Sequence, residues 1–293
     1  MADGASTAPQ KDLSAILKKA GERALQGGVA GAAAMGINVV TLMWMRTTIN
    51  YQYRNGGGTM DALKTLYKEG GVPRFYRGLL PALIQGPLSR FGDTASNTGA
   101  LALMESFDET RNMPIWVKTG AASISAALFR IFLMPVDTIK TTMQVQGKDG
   151  LANLMAKVNT KGPSVFYHGS LASAGATAVG FYPWFSVFNY LQETIPNYEG
   201  TVEKLARNAA IGFSATCVSD TLSNSIRVIK VYKQANTEAV SYPEALKRVL
   251  AEDGVVGLMG RGLKTKLISN GAQGIMFSVL WKLIDEHFFP KEK

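Results

Sequence analysis

The chain has 293 residues, with 31 Lys and Arg against 22 Asp and Glu and a net charge of +9. That excess favours anionic partners without choosing among phosphates, carboxylates, nucleic acid and acidic lipid. A single cysteine, Cys217, excludes an internal disulfide, and the two histidines, His168 and His287, supply no set of ligands for a metal centre.

A mean hydropathy of +0.05 and 18% charged residues would by themselves read as a soluble protein, and no 18-residue run is free of polar side chains. The start carries Asp3 and Asp12 and no apolar core ahead of a small-residue cleavage site, so neither a secretory signal nor a cleavable presequence is expected. Residues 13–25, LSAILKKAGERAL, read as a short amphipathic surface helix.

In chain order, long helices are expected over Arg23–Tyr53, Gly78–Leu103, Trp116–Val145, Gly169–Thr194, Lys204–Gln234 and Gly262–Phe288, with short amphipathic helices over Thr59–Lys68, Leu151–Val158 and Tyr242–Glu252. Small residues in GGVAGAAAMG (27–36) permit close helix packing. At 1.5 Å per residue, ~25–30 residues exceed a hydrocarbon layer ~30 Å thick, so tilted spans are possible if the polar residues face an interior. Pro135 should kink its helix, because proline removes a hydrogen bond and crowds the preceding turn, and it does so beside Asp137 and Lys140.

Self-comparison reveals an internal repeat. KTTMQ from Lys140 matches RTTIN from Arg46, 94 residues earlier, and KVYKQ from Lys230, 90 residues later. A second mark follows each: KEGGVPRFYRGLLPAL (68–83), TKGPSVFYHGSLASA (160–174) and EDGVVGLMGRGLKTKL (252–267). Three units of about ninety residues result.

These marks resemble the mitochondrial carrier family, whose repeat carries Pro-x-[Asp/Glu]-x-x-[Lys/Arg] and later an acid-glycine and an aromatic-basic-glycine. The middle unit carries Pro135, Asp137, Lys140 and Gln144, then Tyr167-His168-Gly169; the first carries Glu69-Gly70 and Tyr76-Arg77-Gly78, and the third Asp253-Gly254 and Gly260-Arg261-Gly262. The resemblance implies an all-α barrel of six transmembrane helices and three short matrix helices in the mitochondrial inner membrane. Its divisions would be an N-terminal extension (1–22) and repeats over 23–111, 112–200 and 201–289. It also implies no enzyme activity, and cardiolipin held where Gly71, Gly162 and Gly254 open helices beside Arg77, His168 and Arg261.

The departures concern the matrix gate, in which the family pairs each acid with the base of the next repeat. By the 94-residue register the first repeat has Thr41, Met43 and Arg46 at the proline, acid and base positions; the third has Ser225, Arg227 and Lys230. Asp137 then faces four bases, Arg46, Lys140, Arg227 and Lys230, with Asp137–Lys230 the one pair the pattern retains. Like charges at such a site need a counter-ion, and without prolines the first and fifth helices should run straighter and converge less. Slow exchange, uniport or no transport is therefore expected.

Ionisable residues inside a membrane are functional candidates by default. Arg130 and Asp220 each precede the kink position by five residues, so they are expected either to pair across the barrel or to anchor a carboxylate or phosphate. By family position, Gln85, Thr177 and Asn270 fall at substrate contact points, while Arg90 and Asp93 add charges that would equally pair on their own helix. No clustered arginines suggest a nucleotide. Two functions fit: a carrier of a small anionic or carboxylate metabolite working by alternating access with an altered matrix gate, or a non-transporting carrier-fold subunit of a large respiratory or ATP synthase complex.

Overall fold

The computed structural model describes residues 35–198 and 200–288. The expected helix over 13–25 and most of the small-residue run over 27–36 lie outside them. Helix α1 covers residues 35–55, followed by α2 (Thr59–Phe75), α3 (Leu79–Ser106), the single turn α4 (Asp108–Arg111), α5 (Ile115–Phe132), α6 (Met134–Gln146), α7 (Gly150–Lys161), α8 (Ser170–Thr194), α9 (Thr201–Ala235), α10 (Tyr242–Gly260) and α11 (Leu263–Phe288). Six long segments fall into three consecutive pairs, α1 and α3, α5–α6 and α8, α9 and α11, with the shorter α2, α7 and α10 between the members of each pair.

The long segments close into a ring. Met35, Val39 and Met43 of α1 pack on Leu79, Ala82 and Leu83 of α3; α3 lies against α5, α5 against α8, α8 against α9 and α9 against α11. The ring shuts where Thr265 of α11 donates to Gln52 of α1 at 2.6 Å. Pro135 acts as expected. The helix breaks at Leu133, and Val117–Phe132 and Met134–Lys161 lie 64° apart. At the equivalent place α9 is unbroken over 35 residues, since Ser225 removes no backbone donor.

Among the described residues, no single helix is long and apolar enough to cross a membrane; the bent pair just named passes only when taken together. The placement of the polar groups explains why composition under-reads these helices. Asn38, Thr47, Thr48, Gln52, Asp137, Thr138, Asp220 and Asn224 are buried, while large apolar side chains stand exposed at helical spacing: Ile37, Val40 and Trp44; Leu80, Ile84 and Leu88; Ile124, Leu128 and Phe132; Val218 and Leu222. An apolar stripe turned outward around a polar interior is the pattern of helices solvated by lipid.

At one end the carboxyl termini of α1, α6 and α9 converge, and each receives a basic donor from the preceding unit. Arg74 of α2 donates to the carbonyls of Gln144 and Val145, both at 2.8 Å. Lys157 of α7 donates to that of Asn236 at 2.9 Å, and Arg261, after α10, to that of Arg54 at 3.2 Å. The last carbonyls of a helix lack internal partners and carry the negative end of its dipole, so a buried cation suits each. Between them lies a core of Ile49, Tyr53, Val145, Val228, Tyr232 and Val249. The expectation of weakened convergence is thereby overturned: α1 and α9 converge without prolines because capping cations and this core hold them.

Gly78, Gly169 and Gly262 open α3, α8 and α11 with φ of +80°, +88° and +65°. Each lies against a neighbouring helix, where an added methyl would stand 3.0 Å from the Lys140 carbonyl, 3.3 Å from that of Lys230 and 3.2 Å from that of Ile49, respectively. Gly262→Ala should destabilise the detergent-solubilised protein by about 1–2 kcal/mol from the left-handed backbone alone, and by more because Tyr53 crowds the same point. A thermal unfolding series against Gly274→Ala, where the space is open, checks this.

Candidate functional site

Those glycine contacts also fix the register of the repeats. Gly78 faces Lys140, Gly169 faces Lys230 and Gly262 faces Ile49, so Ile49, Lys140 and Lys230 are equivalent. The Thr47 and Thr138 hydroxyls agree, donating to the carbonyls of Phe75 and Phe166, each 28 residues on, at 2.6 and 2.7 Å. The 94-residue register is therefore corrected to 91 in the first repeat. Trp44, Arg46 and Ile49, not Thr41, Met43 and Arg46, stand where the middle repeat has Pro135, Asp137 and Lys140. Arg46 occupies an acid position, and at the base position the first repeat has Ile49. Three-residue slips along a helix keep nearly the same face, which is why the Thr-Thr match misled.

Around this ring Asp137 is 5% exposed and bound by two ammonium groups, Lys140 on its own helix and Lys230 on α9, both at 2.7 Å. The Gln234 side-chain amide of α9 donates a hydrogen bond to the same carboxylate at 3.2 Å. Lys140 also donates to Gln85 of α3 at 3.2 Å. Arg46 and Arg227 do not join this group. Arg227 turns to Asp220 on its own helix at 3.4 Å, which Lys266 of α11 shares at 3.6 Å, and Asn270 donates to the other oxygen of that carboxylate.

Hydrogen bonds that involve no carboxylate complete the closure. Asn50 of α1 donates to Gln144 of α6, Gln146 of α6 donates to the Ala235 carbonyl of α9 at 2.8 Å, and Arg54 of α1 donates to Asn236 at 2.8 Å while its guanidinium lies 4.2 Å from the centre of the Tyr232 ring. One interhelical ion pair and a set of amide contacts thus stand where three pairs would.

Higher in the barrel Arg130 pairs with Asp93 of α3 at 2.7 Å, which corrects the expected partnership with Asp220. Arg130 and Asp220 reach different neighbours: α5 lies against α3, and Asp220 faces α11. Arg90 adds its charge to Asp93. Thr177 is back-bonded to the Ser173 carbonyl of its own helix at 3.0 Å and offers less to a ligand than its position implied.

The lipid set divides. Gly71, Gly162 and Gly254 have φ of +64°, +82° and +66° and break the chain where expected, and Arg77 is exposed. Arg261 departs from expectation: it is buried, paired at 2.8 Å with both Glu252 and Asp253, and occupied in capping α1. His168 also departs, since burial first, and then Lys157 and Lys233, press its pKa down to about 4, leaving a neutral ring at physiological pH. The capping cations Arg74 and Lys157 escaped sequence reading because they lie 4 and 12 residues before the marker glycines Gly78 and Gly169, at no common offset.

A closed ring of six long helices in three units, with charges gathered at one end and an apolar exterior, is the build of a membrane carrier. The chain matches the mitochondrial carrier protein family over residues 18–98 and 111–199, more than half its length, and it belongs to that family; the family's proteins sit in the mitochondrial inner membrane. It is 25% identical over 161 residues, 55% of this chain and 62% of the other, to a mitochondrial carrier-like protein of Acanthamoeba polyphaga mimivirus. It is 28% identical over 172 residues, 54% of this chain and 58% of the other, to mitochondrial thiamine pyrophosphate carrier 1 of Meyerozyma guilliermondii. Over 265 residues, 83% of this chain and 52% of the other, it is 24% identical to a calcium-dependent mitochondrial ATP-magnesium/phosphate carrier of Arabidopsis thaliana. The chain thus spans little more than half the length of each of these relatives.

Two outcomes follow from this geometry. In a double-mutant cycle read by thermal stability, Arg130→Ala and Asp93→Ala should be coupled by about 1 kcal/mol or more, since removing one partner leaves a partly buried charge, whereas Arg130→Ala and Asp220→Ala should be additive. The His168 pKa is depressed on folding, so between pH 6.5 and about 4 the unfolded chain takes up a proton that the folded chain refuses. Stability should fall across that window as pH drops, and His168→Gln should remove part of the fall.

Proposed function

We propose that this protein is an inner-membrane solute carrier for a small anion bearing a carboxylate or phosphate, moved by alternating access through a matrix gate reduced to one interhelical ion pair. The observation that carries the reading is the charge of the interior. Arg46, Arg130, Lys140, Arg227, Lys230 and Lys266 stand against Asp93, Asp137 and Asp220, and an interior of net positive charge concentrates anions. Arg130, side chain 30% exposed beside Asp93 at 27%, is an accessible guanidinium for a bidentate contact. Gln85, on the Lys140 ammonium, and Asn270, on Asp220, are polar groups whose bonds a solute would exchange. Two relatives, named as carriers of thiamine pyrophosphate and of ATP-magnesium/phosphate, support a phosphate-bearing class. Cardiolipin bound near exposed Arg77 belongs to the same reading.

A second reading draws on the first repeat. With Arg46 and Ile49 at the acid and base positions, α1 contributes no ion pair to the gate, which favours a carrier fold kept as a structural subunit of a large inner-membrane complex.

Reconstitution in liposomes loaded with mixed carboxylates and phosphates separates the two. Saturable uptake, reduced at least tenfold by Arg130→Ala, is the result expected of a carrier. Absence of uptake, with the native protein in mild detergent migrating in a large complex, would establish the subunit reading instead.

A further inference from the structure

The seam between α1, α9 and α11 holds more positive charge than its own groups neutralise. Arg46 and Arg227 stand at equivalent positions of the first and third repeats, and Lys266 lies one turn into α11. Among the described residues Arg46 has no carboxylate within ion-pair distance, and its charge acts on Lys266. Asp220 is the shared carboxylate, but at 3.4 Å from Arg227 and 3.6 Å from Lys266 its contacts are looser than the two 2.7 Å pairs of Asp137. Its second oxygen is already taken by Asn270. A separate observation points to the same place: the Tyr53 hydroxyl is buried, its residue 4% exposed, and lacks a hydrogen-bond partner. Arg227 and Asp220 are the charged groups that act on it.

Three cations with one carboxylate leave a charge of +2, and although the Arg227 and Lys266 side chains are 32% and 21% exposed, repulsion among such partly desolvated groups costs free energy unless a counter-ion joins them. A buried hydroxyl without a partner is costly in the same way. One ligand answers both: a tetrahedral oxyanion accepts from guanidinium forks and an ammonium and takes a hydroxyl proton as a further bond, whereas a spherical halide uses the fork geometry poorly.

We propose that Arg46, Arg227 and Lys266, with the Tyr53 hydroxyl, hold a phosphate-class oxyanion between α1, α9 and α11. The bound ion supplies the negative charge that the first repeat lacks and ties α1 to α9 at the level where Asp137 ties α6 to α9. It is a site separate from Arg130–Asp93, and its occupancy does not depend on transport.

The test is thermal unfolding of the full chain in detergent with inorganic phosphate or glycerol 3-phosphate titrated against chloride at constant ionic strength. Phosphate should raise the unfolding temperature saturably. Arg46→Asp, which puts a carboxylate at the acid position, should raise it without phosphate and remove the phosphate response; Lys266→Gln should weaken phosphate at least fivefold. A response to inorganic phosphate identifies a free ion, and one confined to glycerol 3-phosphate identifies the phosphate of a solute; either supports the site. No saturable response to either ligand, or one that Arg46→Asp and Lys266→Gln both leave unchanged, overturns it. Because the readout is binding, liposome uptake can fail while this site stands, and the reverse.

Discussion

A helix ends with carbonyls that nothing inside it can satisfy, and here three such ends meet inside one barrel. Arg74, Lys157 and Arg261 each supply the donors to the next unit's helix. Because each donor comes from one repeat and each carbonyl from the next, the bonds run around the molecule in a cycle. Arg261 shows the cost of this arrangement and its remedy. Its guanidinium is 2% exposed, and burial of a charge is tolerated because Glu252 and Asp253 flank it while the Arg54 carbonyl takes the remaining donor.

Once the helix ends are held in this way, the charges at the foot of the barrel are freed from having to close it. Asp137 still joins α6 to α9 through Lys230, and Gln234 reinforces the same contact. Between α1 and its neighbours the work passes to contacts that need no carboxylate: the amide of Asn50 on Gln144, the guanidinium of Arg54 on the Asn236 amide, and the packing of Ile49 and Tyr53 into the common core. Arg46, at an acid position, is then available for a different partner. The result is an interior whose positive charge is uneven, concentrated on the α1–α9–α11 side.

Much of the architecture was legible because it is written in periodicity. The three marker glycines, the kink at Pro135 and, among the described residues, the ends of the long helices fell close to where the pattern placed them, since left-handed glycine and proline act locally and leave fixed signs. The retained Asp137–Lys230 contact could likewise be read from the repeat. The Arg130 partner could not: the five-residue offset that Arg130 and Asp220 share from the kink position describes faces of two helices, but which neighbour a face meets depends on ring order, and that put Asp93 opposite Arg130. The first-repeat register failed for a related reason, because RTTIN matches KTTMQ in residue type while a three-residue slip barely rotates the face. Arg74 and Lys157 were invisible because their role is defined by a carbonyl in another repeat, and a backbone acceptor has no residue identity to detect.

Capping cations, side-chain hydrogen bonds and the shared apolar core, and not a ring of ion pairs, hold the ends of α1, α6 and α9 together. Spin labels on Asn55, Lys148 and Glu238, in a Cys217→Ser background, would report the three distances by pulsed electron resonance. They should be compared with those in Asp137→Asn/Lys230→Gln, which keeps shape while deleting the ion pair between α6 and α9. The account predicts distance distributions that coincide in the two proteins, and ends that spread when Arg74→Leu removes a cap. Spreading in the Asp137→Asn/Lys230→Gln protein, with Arg74→Leu unchanged, would contradict it.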